Sequence, residues 1–388
     1  MNVKSLFEAV TPVIAFFSVF YPTGGTTYIC TITRSIMAIA LDTTIPTSLI
    51  FSHNLPNLTF STDEASISLS IFHATGDFED VFSTTLYPVD GKVTAYDIRE
   101  VMEQYMRTNK LSFCHFRIEA ENDDGSIVCS NDLKVLYCTF NPGTTDAAHF
   151  ARHNFLTTQR TKEIDLSVVS EDQLCYYAAA GEDVRTRIRV LYEHDGLSTT
   201  EFLSGNTVAQ DGIVRQTINF KGLFTTEVTL LSITVCVGTS RMFTYYFTKT
   251  PPQEHFFFSN AFNIMELITL DGKTTKKFTS QRSEAVCGGR SVFYDLRNEM
   301  AFEFETVRLR KETAETLMQM FISPEIYNDA GLLKSVVVKD FSYEIADDDS
   351  EKRIVKFTWK YADNRLSVDH NYNTNGKSFT TEFNDIYE

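Results

Sequence analysis

The 388-residue chain has no basic excess: 35 Lys and Arg stand against 51 Asp and Glu, a formal charge of −16. A surface this acidic does not hold nucleic acid by broad electrostatic attraction, so no nucleic-acid partner is expected. It has no apolar run of membrane-spanning length. Ala9–Tyr21 is interrupted at Pro12 and stops before Pro22, short of the ~20 residues a span requires. It has a single Trp and no Cys-x-x-Cys pair, and its seven cysteines are an odd number. That excludes a disulfide framework and leaves buried free thiols, as suits folding in a reducing cytoplasm.

Motifs of catalysis are also missing. There is no Gly-x-Ser-x-Gly elbow. Gly272-Lys273-Thr274 ends like a phosphate-binding loop, but Leu267 stands where the earlier Gly must be, so backbone amides cannot converge on a phosphate. His149 and His153 are four apart, a ligand spacing on a helix, but Phe150 follows where a zincin has Glu. Exposed histidines on a loop or short helix are expected there. The Asn122–Gly125 stretch lacks both end ligands of a calcium loop, with Ala120 and Asn131 in those places. Cys114 and His115 are neighbours on a strand and point to opposite faces. Glu303 and Glu305 share a strand face and read as solvated surface, as does the acidic Asp347–Glu351 loop. Asn57-Leu58-Thr59 fits a glycan sequon, relevant only in a eukaryotic secretory setting. No catalytic, cofactor-binding or metal-ligating residue is expected, and no enzyme activity.

What the chain has is aromatic residues, 32 Phe and 17 Tyr, together with frequent Thr, Val and Ile, which favour strands. Ile67, Leu69 and Ile71 alternate with serines, and Arg185, Arg187 and Arg189 alternate with Thr186, Ile188 and Val190. This period of two gives each strand one buried face. Two helices stand out. Ile98, Val101, Met102, Tyr105 and Met106 form one apolar stripe behind an Asp97/Glu100 capping box. Lys311–Ile322 is stopped by Ser323-Pro324. Asp271-Gly272 reads as a hairpin turn between Phe256–Leu270 and Thr274–Phe278.

Breakers at Asn141-Pro142-Gly143 and Thr250-Pro251-Pro252 divide the chain. Residues 1–45 form an N-terminal arm, an export signal, or a stretch preceding a true start at Met37. Residues 46–145 form a β-rich domain with one amphipathic helix, 146–250 a β-sandwich-like domain, and 251–388 a C-terminal β-rich domain with one short helix. The expected class is mainly β: tandem β-sandwich-like domains with a few short helices and a C-terminal β-rich (α+β) domain.

The C-terminal third carries further marks: Phe256-Phe257-Phe258-Ser259-Asn260-Ala261-Phe262 with Glu266 following, Arg282 beyond them, Ser323-Pro324, and Trp359-Lys360-Tyr361-Ala362-Asp363-Asn364-Arg365. In these it resembles uncharacterised tail-associated structural proteins of phages and prophages of Bacteroidetes. Where that family usually has a Gly after the Phe of the first motif, this chain has Asn263. The resemblance implies a virion or tail component, folded in the host cytoplasm, that self-associates and binds other virion or tail proteins. Chemistry alone assigns Phe258, Phe262 and Trp359 to the core. It assigns Asn260, Glu266 and Arg365 to a buried polar or ionic set that fixes strand register. With Arg282 these are the structural and interface candidates. The rival class is a surface or secreted β-sandwich binding module of the same bacteria, such as a glycan-binding one.

Overall fold

In the computed structural model the described residues are 39–363, apart from 76, 123–124, 168, 224–227, 248–253, 308, 310, 330–332 and 343–353. The first 38 residues, the Asp347–Glu351 loop and Arg365 lie outside them. The fold is mainly β. Among the described residues there are three α-helices, α1 (Ile98–Thr108), α2 (Ala147–His153) and α3 (Lys311–Ile322). By contacts the chain forms two units. Of the described residues, one holds those within 39–48, 55–105 and 115–134; the other holds those within 49–54, 106–114 and 135–363.

In the smaller unit the strands Ile67–Thr75 and Asp77–Leu86 lie in one sheet with residues 115–121 and 127–134 of the strands Phe113–Glu121 and Ile127–Leu136. The alternation read from sequence sets its faces. Ile67, Leu69 and Ile71 are fully buried, and Leu69 and Ile71 pair with Ala120 and Ile118 across the ladder. Helix α1 lays Tyr105 on this sheet. Its ring meets Phe116 edge-on at 6.0 Å. Its hydroxyl lies 2.9 Å from His73 Nδ1 and donates to Glu79 at 2.7 Å. Asp97, just before α1, departs from an ordinary cap: its φ is 61°, whereas a capping residue is normally extended.

The larger unit contains a β-sandwich. One layer is the sheet Leu197–Thr207, Asp183–Glu193, Thr229–Val237, Arg241–Phe247 and Thr161–Ile164, the last strand parallel to its neighbour. The other layer is the pair Glu171–Ala178 and Gly212–Asn219. Leu174, Tyr176 and Ile218 from the pair meet Val190, Ile233, Val235, Phe243 and Tyr245 from the five-stranded sheet in one core. Arg185, Arg187 and Arg189 face solvent on the outer side.

Residues 254–361 build a seven-stranded sheet in the order Met265–Leu270, Glu254–Ser259, Ile326–Asp329, Leu333–Ser342, Lys356–Tyr361, Arg290–Thr306, Gly272–Cys287. Helix α3 covers it, burying Ala314, Leu317 and Met320 against Phe256, Phe258, Phe304 and Trp359. This order corrects the hairpin expected at Asp271-Gly272. The strand ending at Leu270 and the strand beginning at Gly272 lie at opposite edges of the sheet. Asp-Gly is a corner by which the chain passes from one edge to the other. Phe256–Leu270 is itself a hairpin, and Gly272–Cys287 pairs with Arg290–Thr306 around Gly288 and Gly289, both at positive φ. Gly272 has to be glycine, because a Cβ there would run into the Glu305 carbonyl and the Phe304 ring.

Candidate interface: a buried polar hub and a projecting hairpin

The hairpin Glu254–Leu270 turns at Asn260–Ile264, and this turn organises the first candidate region. Asn263 adopts φ 58°, a left-handed conformation that Gly takes freely and Asn tolerates best among the rest. That explains how a residue other than Gly stands at this turn. Its side chain is also used. Nδ2 donates to the Met106 and Leu111 carbonyls at 3.0 and 3.1 Å, and Oδ1 accepts from Ser259 Oγ at 3.2 Å. Asn260 fills all its bonding capacity. Oδ1 accepts from the amides of Phe262 and Ile264, and Nδ2 donates to the Leu156 carbonyl and to Glu266 at 3.1 and 2.8 Å.

Glu266 is buried, and six donors converge on it. They are the Thr157 hydroxyl, the amide and hydroxyl of Thr158, each at 2.9 Å, the amide and side chain of Gln159 at 3.1 and 2.9 Å, and Asn260. Burial pushes its carboxyl pKa up. The positive charge of Lys162 and the bonds from Thr157, Thr158 and Asn260 outweigh that, and the carboxyl ends below its usual range. Gln159 also donates to the Leu267 carbonyl at 2.9 Å, and Thr269 to the Glu163 carbonyl at 2.8 Å. The hub therefore staples the edge of the seven-stranded sheet to the sandwich.

Behind it, Lys162 and Asp172 form a 2.7 Å ion pair whose side chains are 4% and 9% exposed. Lys162 points into the sandwich because the alternation of Thr161–Ile164 turns it inward with Ile164. Burial and the charge of Asp172 hold the Tyr245 phenol well above its usual pKa, and burial pushes the Cys175 thiol up to about 11. A second buried cation, Arg241, donates to the carbonyls of Ala151 and Tyr177 at 2.9 and 2.8 Å and stands over the Tyr176 ring. Lys162, Asp172 and Arg241 are engaged in these fixed bonds, a structural arrangement.

The sequence candidates divide among these places. Phe258 and Trp359 sit in the core under α3, where Trp359 stacks on Phe302 at 4.3 Å. Phe262 belongs to a different cluster, with Phe51, Leu136, Leu156 and Tyr177. It stacks on Phe150 of α2. The two histidines of α2 stack on each other at 4.3 Å. Glu303 and Glu305 are taken up by Lys277 and Lys356 at 2.6 and 3.0 Å. Sequence reasoning missed Thr157–Gln159 and Lys162. The available signal was a polar run, Thr157-Thr158-Gln159, between buried Phe155-Leu156 and a strand with an inward lysine.

Arg282 lies elsewhere, on the hairpin Gly272–Cys287/Arg290–Thr306. Lys356–Tyr361 pairs only with Phe302–Glu305 of this hairpin, and Glu299 bonds Lys339 and Lys360 at its base. Beyond that point ten paired rungs continue as a two-stranded arm (278–287 and 290–300), about 30 Å long at ~3.3 Å per residue. In the ladder Lys276 sits opposite Phe302 and Phe278 opposite Met300, so the inner, core-facing side of the sheet runs on into the arm. Phe302 is 6% exposed but Phe278 is 60% and Phe293 62% exposed, with Val286 and Val292 also in solvent. Arg282 lies over the Phe293 ring at 5.4 Å.

A cleft of about 680 Å³ opens on the same unit. Phe140, Phe150, Phe262 and Met242 line it together with Thr157–Gln159 and with Glu312, Glu315, Thr316 and Gln319 of α3.

No protein-family model matches the chain, and no curated protein does. Among solved structures it is similar to the calcium-binding domain CBD12 of CALX1.1, at 12% identity over 49% of this chain and 75% of that one, with a TM-score of 0.16. It is also similar to trypsin-activated alpha-2-macroglobulin from Escherichia coli, at 9% identity over 70% of this chain, with a TM-score of 0.19. The match spans 22% of the macroglobulin's length. At such scores neither likeness bears on function.

Proposed function

We propose that this chain is a non-enzymatic structural component of a phage tail or related virion assembly, folded in the host cytoplasm and acting through subunit interfaces. The observation that supports this most is the projecting hairpin. An isolated two-stranded ribbon is marginal in water, and one that keeps Phe278, Phe293, Val286 and Val292 exposed suits burial against a partner. The resemblance of the C-terminal third to tail-associated proteins points the same way. So does the interior: Glu266, Lys162, Asp172 and Arg241 are held by hydrogen bonds and ion pairs that rigidify the frame. A rigid body with an adhesive extension is what a repeated assembly requires.

The test is quantitative mass spectrometry of purified virions, with light scattering of the purified protein. The expected result is a multi-copy virion protein that associates in solution. A protein that is absent from virions and strictly monomeric overturns the proposal.

A further inference from the structure

The contact between Lys162 and Asp172 holds the reactants of a condensation. Lys162 stands on the strand Thr161–Ile164 of the five-stranded layer, and Asp172 on the strand Glu171–Ala178 of the two-stranded layer. Their 2.7 Å contact, with both side chains buried, therefore bridges the two layers from inside the sandwich. The surroundings are apolar. The amine lies 5.9 Å from the Phe243 ring, and Phe243 and Tyr245 are buried. Taking two charges out of water can cost more than their attraction returns, so stability alone does not account for the pair. The other carboxylate that feels the charge of Lys162 is Glu266, and six donors already saturate it. Asp172 is the acid that the amine meets.

We infer that Lys162 and Asp172 condense to an isopeptide bond that ties the two layers of the sandwich together covalently. The pair carries every atom the step requires. One ammonium proton passes to the carboxylate, which removes both charges from the apolar interior. The amine nitrogen then attacks Cγ, a second proton moves from nitrogen to the departing oxygen, and one water leaves. An N–C bond forms, a C–O bond breaks, nothing is oxidised or reduced, and no co-reactant enters. Proximity favours the step. An amine 2.7 Å from one carboxylate oxygen is within ~4 Å of the carbon bearing it, near the ~3–3.5 Å of a reactive approach. Exclusion of water favours the amide over its hydrolysis. The Tyr245 hydroxyl is fully buried with no hydrogen-bond partner, and it is near enough to Asp172 for that charge to raise its pKa. It is placed to donate to the Asp172 carboxyl as negative charge builds there during the attack. The bond does not depend on a role in virions. In a component that bears load it would keep the two layers from sliding apart.

The experiment is peptide mass analysis of the full chain, denatured and cut with trypsin at intervals after folding. Trypsin cuts after Arg160 and, where the amine is free, after Lys162; the next site is Arg185. The bonded chain is expected to give residues 161–185 as one uncut peptide, lighter than its sequence by one water. Lys162→Arg, whose guanidinium stays protonated and is no nucleophile, is expected to keep its full mass, as is Asp172→Ala. Tyr245→Phe is expected to slow bond formation by ~tenfold or more. The wild-type measurement decides the case even where a variant does not fold. A wild-type chain that still releases residues 163–185 as a free peptide after days in buffer overturns the inference. So does a loss of water that leaves Lys162 open to trypsin, which marks dehydration at another acid, and so does the same loss in the Lys162→Arg chain.

Discussion

At the Met265–Leu270 edge of the C-terminal sheet one buried carboxylate collects six hydrogen-bond donors. At the Gly272–Cys287 edge of the same sheet, Phe278 and Phe293 stand mostly in water. The two edges are joined in sequence by Asp271 alone. The first edge has a neighbouring layer, and the chain supplies polar partners from residues 157–159 to satisfy it. The second continues past every layer that the described residues supply. The contrast separates surface that the chain covers itself from surface it leaves for something else.

The largest effect that would sharpen this contrast is at the hub. Glu266→Ala leaves its donors buried without an acceptor, and a loss of about 3–5 kcal/mol is expected, read by urea denaturation. The hub also predicts a direction with pH. The folded pKa of Glu266 is lowered, so its contribution is fully present above the unfolded value of about 4.3 and disappears as pH falls through the folded pKa. Glu266→Gln should therefore flatten the loss of stability below that pH. An unchanged acid profile would show that the carboxylate is not the group being protonated.

Next comes the buried pair, read on chain in which it is still an ion pair. Lys162→Met alone should cost about 3–5 kcal/mol by stranding Asp172, while Lys162→Met with Asp172→Leu should recover most of it. A double variant as weak as the single would mean that the pair's charges are needed by Glu266. At the turn, Asn263→Ala should cost more than Asn263→Gly by about 1 kcal/mol, since both lose the bonds but only Ala is strained at φ 58°. Thermal melts distinguish the two. The smallest effect on stability is predicted at the arm: Phe278→Ser with Phe293→Ser should change stability by less than about 0.5 kcal/mol, as expected of exposed positions, while lowering association. A large loss of stability would place these rings in an internal core and dissolve the contrast.

The local elements of this fold are legible in the sequence. Ile67–Ile71 and Arg185–Val190 declare their faces by period, and Lys311–Ile322 runs to its Ser-Pro stop. Asp271-Gly272 was not legible, because the same dipeptide serves a tight hairpin and a corner, and only the pairing of Gly272 with Thr306 decides between them. The hub was half legible. Asn260 and Glu266 are polar residues among phenylalanines, but their partners at 156–159 lie more than a hundred positions away in the chain, 108 for Thr158 and 104 for Leu156, beyond any local pattern. The arm was not legible either, since Phe278 in an alternating strand implies a buried face and sequence does not reveal that no layer covers it.

The central claim is that the arm works outside its own subunit. Light scattering of a chain whose arm is shortened, residues 278–298 replaced by a two-residue Asn-Gly turn, tests it most directly. The account predicts the melting temperature of the full chain together with loss of association. A shortened chain that assembles like the full one, or that no longer folds, would contradict it.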